Sequence, residues 1–296
     1  MRVHLVDGTF ELYRAHFAPR PGKVVLRAGR QTDVKATVGF MGSMCALLSE
    51  KAEAVTHIAV AFDNPITSFR NALFDGYKTD EGVPPELRAQ FDLVEEAARA
   101  LGIVVWSMKD FEADDALATA ARRFAGEVEQ VRILSPDKDL GACARGERVV
   151  LVDRIRRRVL DEAAVRERHG VGPDQIADLL ALTGDAADGV PGVPGFGAKR
   201  AATLLARWGT VEQIPDDPAA WDVRIPGAPR LAATLASMRE EVALYKRLTT
   251  LATDVPLAES LGDLAWRGAD REHVTRLCGE LDADAVLARV PRFATA

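Results

Sequence analysis

The amino-acid sequence predicts an α/β fold with a mostly parallel central sheet flanked by helices, and three observations carry that expectation. Short apolar runs at residues 3–6, 58–62 and 131–134 have the length and continuity of strands buried on both faces. Stretches with apolar residues at helical spacing separate them. Each run delivers carboxylates: Asp7 closes the first, Asp63 the second, and Asp137 and Asp139 follow the third. In a parallel sheet the carboxyl ends of the strands share one edge, where ligands bind, so these acids would converge.

Taken in order, residues 3–6 form a strand and 10–17 a helix that Pro19 and Pro21 end. Residues 23–32 read as a basic loop or hairpin around Gly29, and 34–50 as a core helix through Val38, Met41, Leu47 and Leu48. After the strand at 58–62, Arg70 and Lys78 are interleaved with Phe74 and Tyr77. That pattern suits a phosphate clamp with a stacking platform, the plainer alternative being an exposed loop. One amphipathic helix is expected over 86–101, capped by Gly102, with a strand over 103–106. Glu112, Asp114 and Asp115 open a helix that runs to about Phe124, with Glu112 and Asp115 on one face. Acids there also suit the positive end of the helix dipole. Asp137 and Asp139 alternate across Lys138, so an extended backbone would aim both the same way. Residues 149–152 and 158–160 read as a hairpin whose turn carries Arg154, Arg156, Arg157 and Arg158, a cluster suited to a solvated face. Asp161 caps a helix ending near Gly170, and Pro173 opens another that runs to Leu182. Residues 216–229 read as loop, 231–248 as one helix, and the chain beyond Asp254 as short helices and turns.

The chain has 296 residues, 48% hydrophobic and 28% charged, enough for a substantial core in one large domain or two unequal ones. Its formal net charge of −6 argues only weakly against nucleic acid, because carboxylates that hold a cation are not free charge. Cys45, Cys143 and Cys278 are odd in number and far apart, which excludes a disulfide framework and a Cys-x-x-Cys zinc site and suits a reducing compartment. No apolar run approaches the ~18 residues of a membrane span. The first strand begins at once, so the expectation is a cytoplasmic protein without leader or membrane partner. Two carboxylates about 4 Å apart repel by roughly 4 kcal/mol at an effective dielectric near 20. Converging acids therefore call for hard divalent cations, Mg²⁺ or Mn²⁺, which take carboxylate oxygen and water.

A second informative stretch covers residues 182–201. Asp185 and Asp188 sit in a Gly-flanked turn, and Gly192, Gly195 and Gly197 precede a helix over 198–208 with Lys199 and Arg200 in its first turn. Glycines let backbone N–H groups approach a phosphate closely. Cations in a first turn oppose the helix dipole unless an anion sits there. With a helix before it, this is the pattern of a helix–hairpin–helix, a sequence-independent grip on duplex backbone.

The pieces Leu5-Val6-Asp7-Gly8, Ala61-Phe62-Asp63, Phe69-Arg70, Gly76-Tyr77-Lys78, Glu112-Ala113-Asp114-Asp115 and Pro136-Asp137-Lys138-Asp139-Leu140, with residues 182–201, together resemble the bacterial 5′ nucleases. That family is related to flap endonucleases and to the 5′-nuclease domain of bacterial DNA polymerase I; here no polymerase portion is present, so the chain looks like a free-standing form. The resemblance implies a PIN-like core over residues 1–170 with a helical arch near 78–101, beneath which single-stranded 5′ ends would thread. It implies a helical C-terminal region over 171–296, with the helix–hairpin–helix near 182–208. Asp7, Asp63, Glu112, Asp114 and Asp115 would build one metal site, and Asp115, Asp137, Asp139, Asp185 and Asp188 a second. Arg70 and Lys78 would touch the scissile or a neighbouring phosphate, with Tyr77 beside them. Gly192, Gly195, Gly197, Lys199 and Arg200 would hold the duplex, with a monovalent cation in the hairpin.

The implied function is that of a structure-specific 5′ nuclease, both 5′-3′ exonuclease and flap endonuclease, using two Mg²⁺ or Mn²⁺ ions. It would act as a monomer on DNA with 5′ flaps, 5′ overhangs or branched junctions, in replication and repair. The alternative is a catalytically weak branched-DNA-binding protein of the same fold, against which stands the presence of both Asp185 and Asp188. An RNA-cleaving relative is disfavoured by the helix–hairpin–helix, since A-form duplex offers a different backbone spacing. Two departures from the family stand out. Lys78 is followed by Thr79-Asp80-Glu81 where a small and then a basic residue is usual, and Gly189 stands where Asn is usual. Gly and Asn both accept left-handed backbone angles.

Overall fold

The computed structural model describes residues 1–295. Its first half alternates strands and helices: β1 (Arg2–Asp7), α1 (Gly8–Phe17), β2 (Val24–Arg27), β3 (Arg30–Asp33), α2 (Lys35–Ser49), β4 (His57–Asp63), α3 (Pro85–Arg88), α4 (Phe91–Ala100), β5 (Val104–Met108), α5 (Ala113–Phe124), β6 (Gln130–Leu134), β7 (Val149–Asp153) and β8 (Arg158–Leu160). The second half is helical: α6 (Glu162–His169), α7 (Ile176–Thr183), α8 (Ala198–Trp208), α9 (Ala228–Ser237), α10 (Arg239–Thr249), α11 (Arg271–Glu280) and α12 (Asp284–Leu287). Six strands form one sheet in the order β5-β4-β1-β6-β7-β8, parallel except for β8, while β2 and β3 pair as a separate hairpin.

Alternation along the strands sorts the sheet into two buried faces. Leu5, Ile133 and Leu151 pack with α5, α7 and α8, whereas Val6, Val60, Phe62, Leu134 and Val152 pack with α2, α4 and α11. Burial on both sides is why these strands read as unbroken apolar runs. The strand order sets β4, β1 and β6 side by side, so Asp63, Asp7 and the segment after Leu134 emerge together at one edge. Local signals hold where expected: Asp161 accepts from Ala164 N–H at 2.8 Å to start α6, and Gly170 ends it at φ +73°.

Four expectations are corrected. The single helix over 86–101 is two, broken at Ala89 and Gln90. Buried Gln90 staples the break to α2, accepting from the backbone N–H of Thr37 at 3.0 Å and from its hydroxyl at 3.1 Å. Because Leu87, Phe91, Val94, Ala97 and Ala98 are core residues, an arch over 78–101 cannot stand free beyond about residue 84. The helix over 231–248 is also two, interrupted at Met238, after which the Arg239 guanidinium is tied to the carbonyls of Val211 and Ile214. Lys138 is helical, so Asp137 and Asp139 do not lie on an extended strand.

The fourth correction concerns the C-terminal boundary. Residues beyond about 264 leave the helical region and return to the α/β core: Trp266 N–H donates to Thr56 O and its indole to Leu101 O, both at 2.9 Å. Val274, Leu277 and Cys278 are fully buried beside α2 and α4. Among the described residues no helix is long and apolar enough to cross a membrane. Leu277→Ala should therefore cost about 2–5 kcal/mol of global stability, read from urea denaturation. An unchanged midpoint would show that the tail does not belong to the core.

Candidate metal centre

At the sheet edge three carboxylates are aimed by neighbours. Asp7 caps α1, with Oδ1 accepting from Phe10 N–H at 2.8 Å and Oδ2 from the Ser135 hydroxyl at 2.8 Å. Asp63 Oδ1 accepts from Ala113 N–H at 2.7 Å, which fixes the start of α5 against the end of β4. Asp137 Oδ1 accepts from Asp139 N–H at 3.1 Å. Burial pushes the Asp7 carboxyl up to about 7, reinforced by the charges of Asp63 and Asp137. Asp63 and Asp114 are raised as well, by burial first and then by neighbouring carboxylates, Glu112 beside Asp63 and Asp137, Asp7 and Asp63 beside Asp114. Asp7, Asp63, Asp114 and Asp137 thus form one mutually repelling group.

The second group is contributed by the turn after α7. One oxygen each from Asp139, Asp185 and Asp188 lies within 4.8 Å of the others. Burial and the surrounding carboxylates raise Asp139 and Asp188. Asp139 Oδ1 is buried without a hydrogen-bond partner. An all-oxygen donor set with an orphaned buried oxygen fits a hard divalent cation. Lysines supply part of the missing charge. Lys78 Nζ lies 3.0 Å from Glu112 and 3.0 Å from Asp188, and Lys138 Nζ lies 2.9 Å from Asp185. Burial alone would lower Lys78, but Glu112 and Asp188 outweigh it and hold it well above the ordinary lysine value.

Five residues expected at the site do other work. Arg70 is 1% exposed, and its guanidinium grips Asp115 bidentately at 2.7 and 2.8 Å while donating to Leu248 O and Thr250 O. Four of its five N–H donors are engaged and Nη1 also lies 3.5 Å from Glu112, so the buried guanidinium is turned away from an incoming phosphate. Asp115, fully buried, also accepts from Glu112 N–H at 3.0 Å and Ala252 N–H at 2.8 Å, which fills its four acceptor positions and leaves none for a metal. Glu112 accepts from the Ser68 hydroxyl at 2.7 Å and the Tyr77 phenol at 3.3 Å besides Lys78, so it braces the Lys78 segment from beneath. Tyr77 is buried, and Phe74 packs edge-on against Tyr245, so neither offers an open stacking face. The structure brings together the other acids with Lys78.

Some positioning groups gave no clear sequence signal. The Ser135 hydroxyl sets Asp7, Thr9 accepts from Asp63 N–H at 2.9 Å, and Asn71 holds the Lys78 carbonyl at 2.8 Å. Gly189, at φ +75°, lets the acidic turn approach that same segment: a Cβ there would stand 2.1 Å from Gly76 O, while Lys78 N–H donates to Asp188 O at 3.0 Å. Asn at this position would satisfy the backbone angle but not the contact. In the hairpin, Gly192 is at φ +72° with Gly184 N 2.3 Å from its absent Cβ, and buried Phe196 pins the loop. Gly195, Gly197, Lys199 and Arg200 are exposed, with Arg200 donating to Gly195 O at 2.8 Å.

Residues 2–170 match the family model of the 5′-3′ exonuclease N-terminal resolvase-like domain, and residues 171–272 that of the 5′-3′ exonuclease C-terminal SAM fold. The chain is 38% identical over 295 residues to DNA polymerase I of Bacillus caldotenax, covering 98% of this chain and 32% of that protein. It is 36% identical over 283 residues to DNA polymerase I of Mycobacterium tuberculosis H37Rv, covering 94% and 30% respectively. The chain thus spans about a third of the length of these curated relatives. A zinc-bound T5 5′-exonuclease shares the fold with a TM-score of 0.67 at 19% identity, covering 98% of this chain and 100% of that one. The catalytic core of Rad2 with DNA substrate follows at 0.63 and 15%, covering 97% and 92%.

Two outcomes follow from this geometry. Asp115→Asn should destabilise the fold by about 3–5 kcal/mol, the cost of leaving a buried guanidinium unpaired. Chemical denaturation measures it, and native stability with selective loss of metal binding would overturn the bracing role. Millimolar Mg²⁺ or Mn²⁺ should raise the melting temperature, by about 2.7 kcal/mol of stabilisation at a hundred times Kd. A melting curve indifferent to both ions would contradict the carboxylate cluster as a cation site.

Proposed function

The chain belongs to the family of 5′-3′ exonucleases and flap endonucleases, which are metal-dependent nucleases, and from that premise we propose that it hydrolyses DNA phosphodiesters at 5′ ends and 5′ flaps. The observation that carries the reading is the pair of carboxylate groups on either side of Lys78. Asp7, Asp63, Asp114 and Asp137 would hold one divalent ion, Mg²⁺ or Mn²⁺, and Asp139, Asp185 and Asp188 another. The chemistry such ions supply when bound is Lewis acidity, which makes water a nucleophile near neutral pH and offsets charge on the phosphoryl oxygens.

The chain's own residues do the rest. Lys78 presents a fixed ammonium between the two groups, 24% exposed, where it can face a phosphate that Arg70 cannot reach. Glu112 and Asn71 hold the Lys78 segment in register, and Ser135 and the Phe10 N–H hold Asp7. The exposed loop around Gly195 and Gly197, with Lys199 and Arg200, would grip duplex backbone without reading bases, and a monovalent cation would suit its carbonyls. We assign as substrates DNA with 5′ flaps, 5′ overhangs or branched junctions, bound by a monomer acting in the cytoplasm.

The test is cleavage of a labelled 5′ flap, a blunt duplex and a single strand in parallel. Asp139→Asn should abolish most cleavage while retaining flap binding in a gel-shift assay. Lys78→Ala should slow cleavage by on the order of 10²–10³, the usual scale for removing one transition-state donor. Wild-type turnover in chelator would refute the metal-dependent mechanism, and tight flap binding without any cleavage would favour a branched-DNA-binding role instead.

A further inference from the structure

A second concave site lies on the sheet face covered by α2, between α1, α2 and the β7–β8 hairpin, with a volume of about 650 Å³. Seven arginines and three carboxylates line it, although the chain as a whole carries net charge −6. Its deeper cations are only partly neutralised. Arg154 Nη1 lies 3.0 Å from buried Glu11 and 2.9 Å from the Ser43 hydroxyl, and Arg14 contacts the same two groups, so one carboxylate serves two guanidinium groups. Arg132 is balanced by Glu53 at 2.8 and 3.1 Å. Arg20, Arg157, Arg158 and Arg289 pair with no carboxylate among the described residues.

Two further features concern the mouth. Arg157 takes a left-handed φ of +53°, a conformation that favours glycine or asparagine, in the turn that carries its side chain to the recess. The absence of a side chain at Gly42 gives Arg289 a bed on α2, its Nη1 lying 3.5 Å from where a Cβ would stand. Arginine without lysine is the chemistry of bidentate phosphate recognition, because the planar fork matches two phosphate oxygens. The volume falls in the range of small-molecule sites, about 300–1,000 Å³, and a duplex would have to lie across the mouth instead of entering. Val159, 52% exposed, and Ala46 offer an apolar patch of wall on which a base could rest.

We infer that this recess binds a compact polyphosphate of the nucleoside di- or triphosphate class, at a site separate from the acidic centre. The phosphates meet the unpaired guanidinium groups of Arg157, Arg158 and Arg289, and the charge they bring relieves the repulsion between Arg14 and Arg154 that Glu11 only half offsets. The solvated arginine face expected from residues 154–158 is on this reading a binding wall.

The experiment is isothermal titration of the full chain in EDTA and low salt, which leaves the acidic centre without cations and repellent to phosphate. The probes are ADP, inorganic tripolyphosphate and a 5′-phosphorylated trinucleotide. ADP and tripolyphosphate should each bind once per chain. Arg157→Glu combined with Arg158→Glu should weaken both by about tenfold or more, the loss of at least one charge-assisted phosphate contact. Arg289→Ala, on the opposite wall, should weaken them in the same direction, and Lys199→Glu with Arg200→Glu should not. Absence of binding, binding that survives all the arginine variants, or binding of the trinucleotide alone would overturn the assignment.

Discussion

Too many carboxylates are taken out of water at one edge of the sheet for the protein to neutralise them unaided. Asp7, Asp63, Asp114, Asp139 and Asp188 are all pushed toward the protonated form by burial and by neighbouring carboxylates. Among the described residues, Lys78 at Asp188 and Lys138 at neighbouring Asp185 are the lysines that stand against this charge at contact distance. Desolvation penalises a lone charge by several kcal/mol, and like charges add to it. Part of the arrangement is held by hydrogen bonds that the fold needs: Asp7 caps α1, and Asp63 caps the approach to α5. The centre is costly in the absence of a counter-ion, and a divalent cation is the kind of group that would turn the cost into binding energy.

Rigidity comes from a different set of charges. Arg70 and Asp115 form a buried, bidentate pair that also engages the backbone at Leu248, Thr250 and Ala252. This ties the first turn of α5, and with it Asp114, to the segment following α10. The acidic turn at Asp185–Asp188 is fixed from the other side, where Gly189 packs on Gly76 and Asp188 O receives Lys78 N–H. Two regions far apart in sequence are thus clamped within a few ångströms of Lys78. A buried pair of this kind contributes little net stability against an apolar replacement, but losing one partner is expensive, so it functions as a register lock.

Much of this was legible in the sequence. Strand runs ending in Asp7 and Asp63, the capped helix at Asp161 and the Gly-rich turn before Lys199 were all visible from period and punctuation. What sequence could not supply was the direction of polar side chains that face inward. Arg70 and Asp115 look like site residues because charge in a motif reads as chemistry. Only tertiary contact shows that Asp115 and Thr119, at i and i+4 on α5, form a polar seam against residues 252–255. Helix breaks were missed for a related reason. Neither Gln90 nor Met238 carries a Gly or Pro signal nearby, and each break is held by a long-range contact, from Thr37 to Gln90 or from Arg239 to Val211. The acidic departure after Lys78 also changes meaning in three dimensions, because Asp80 pairs with Arg88 and so stiffens the loop.

Burial sorts the charges by sign. Apart from exposed Asp137, the carboxylates of the centre are buried or half-buried, whereas Lys199, Arg200, Arg157 and Arg158 project into solvent. At physiological salt, charges separated by more than a Debye length of about 8 Å are largely screened. A phosphate arriving from solution therefore senses exposed cations first and the buried acids only on close approach. At that point it is repelled unless cations already occupy the acids, and cations are held more tightly once a phosphate shares them. Linkage requires the two effects to be equal: whatever factor the ion adds to phosphate affinity, the phosphate adds to ion affinity. For a nuclease this coupling has a direct consequence, since an empty centre both lacks its chemistry and rejects its substrate from the reactive position. On the proposed function, the exposed hairpin around Lys199 and Arg200 would still hold nucleic acid nearby. If the proposed function holds, binding without cleavage is the expected resting behaviour of the metal-free protein, and the same electrostatics that make the centre costly would keep it idle until both ligands are present.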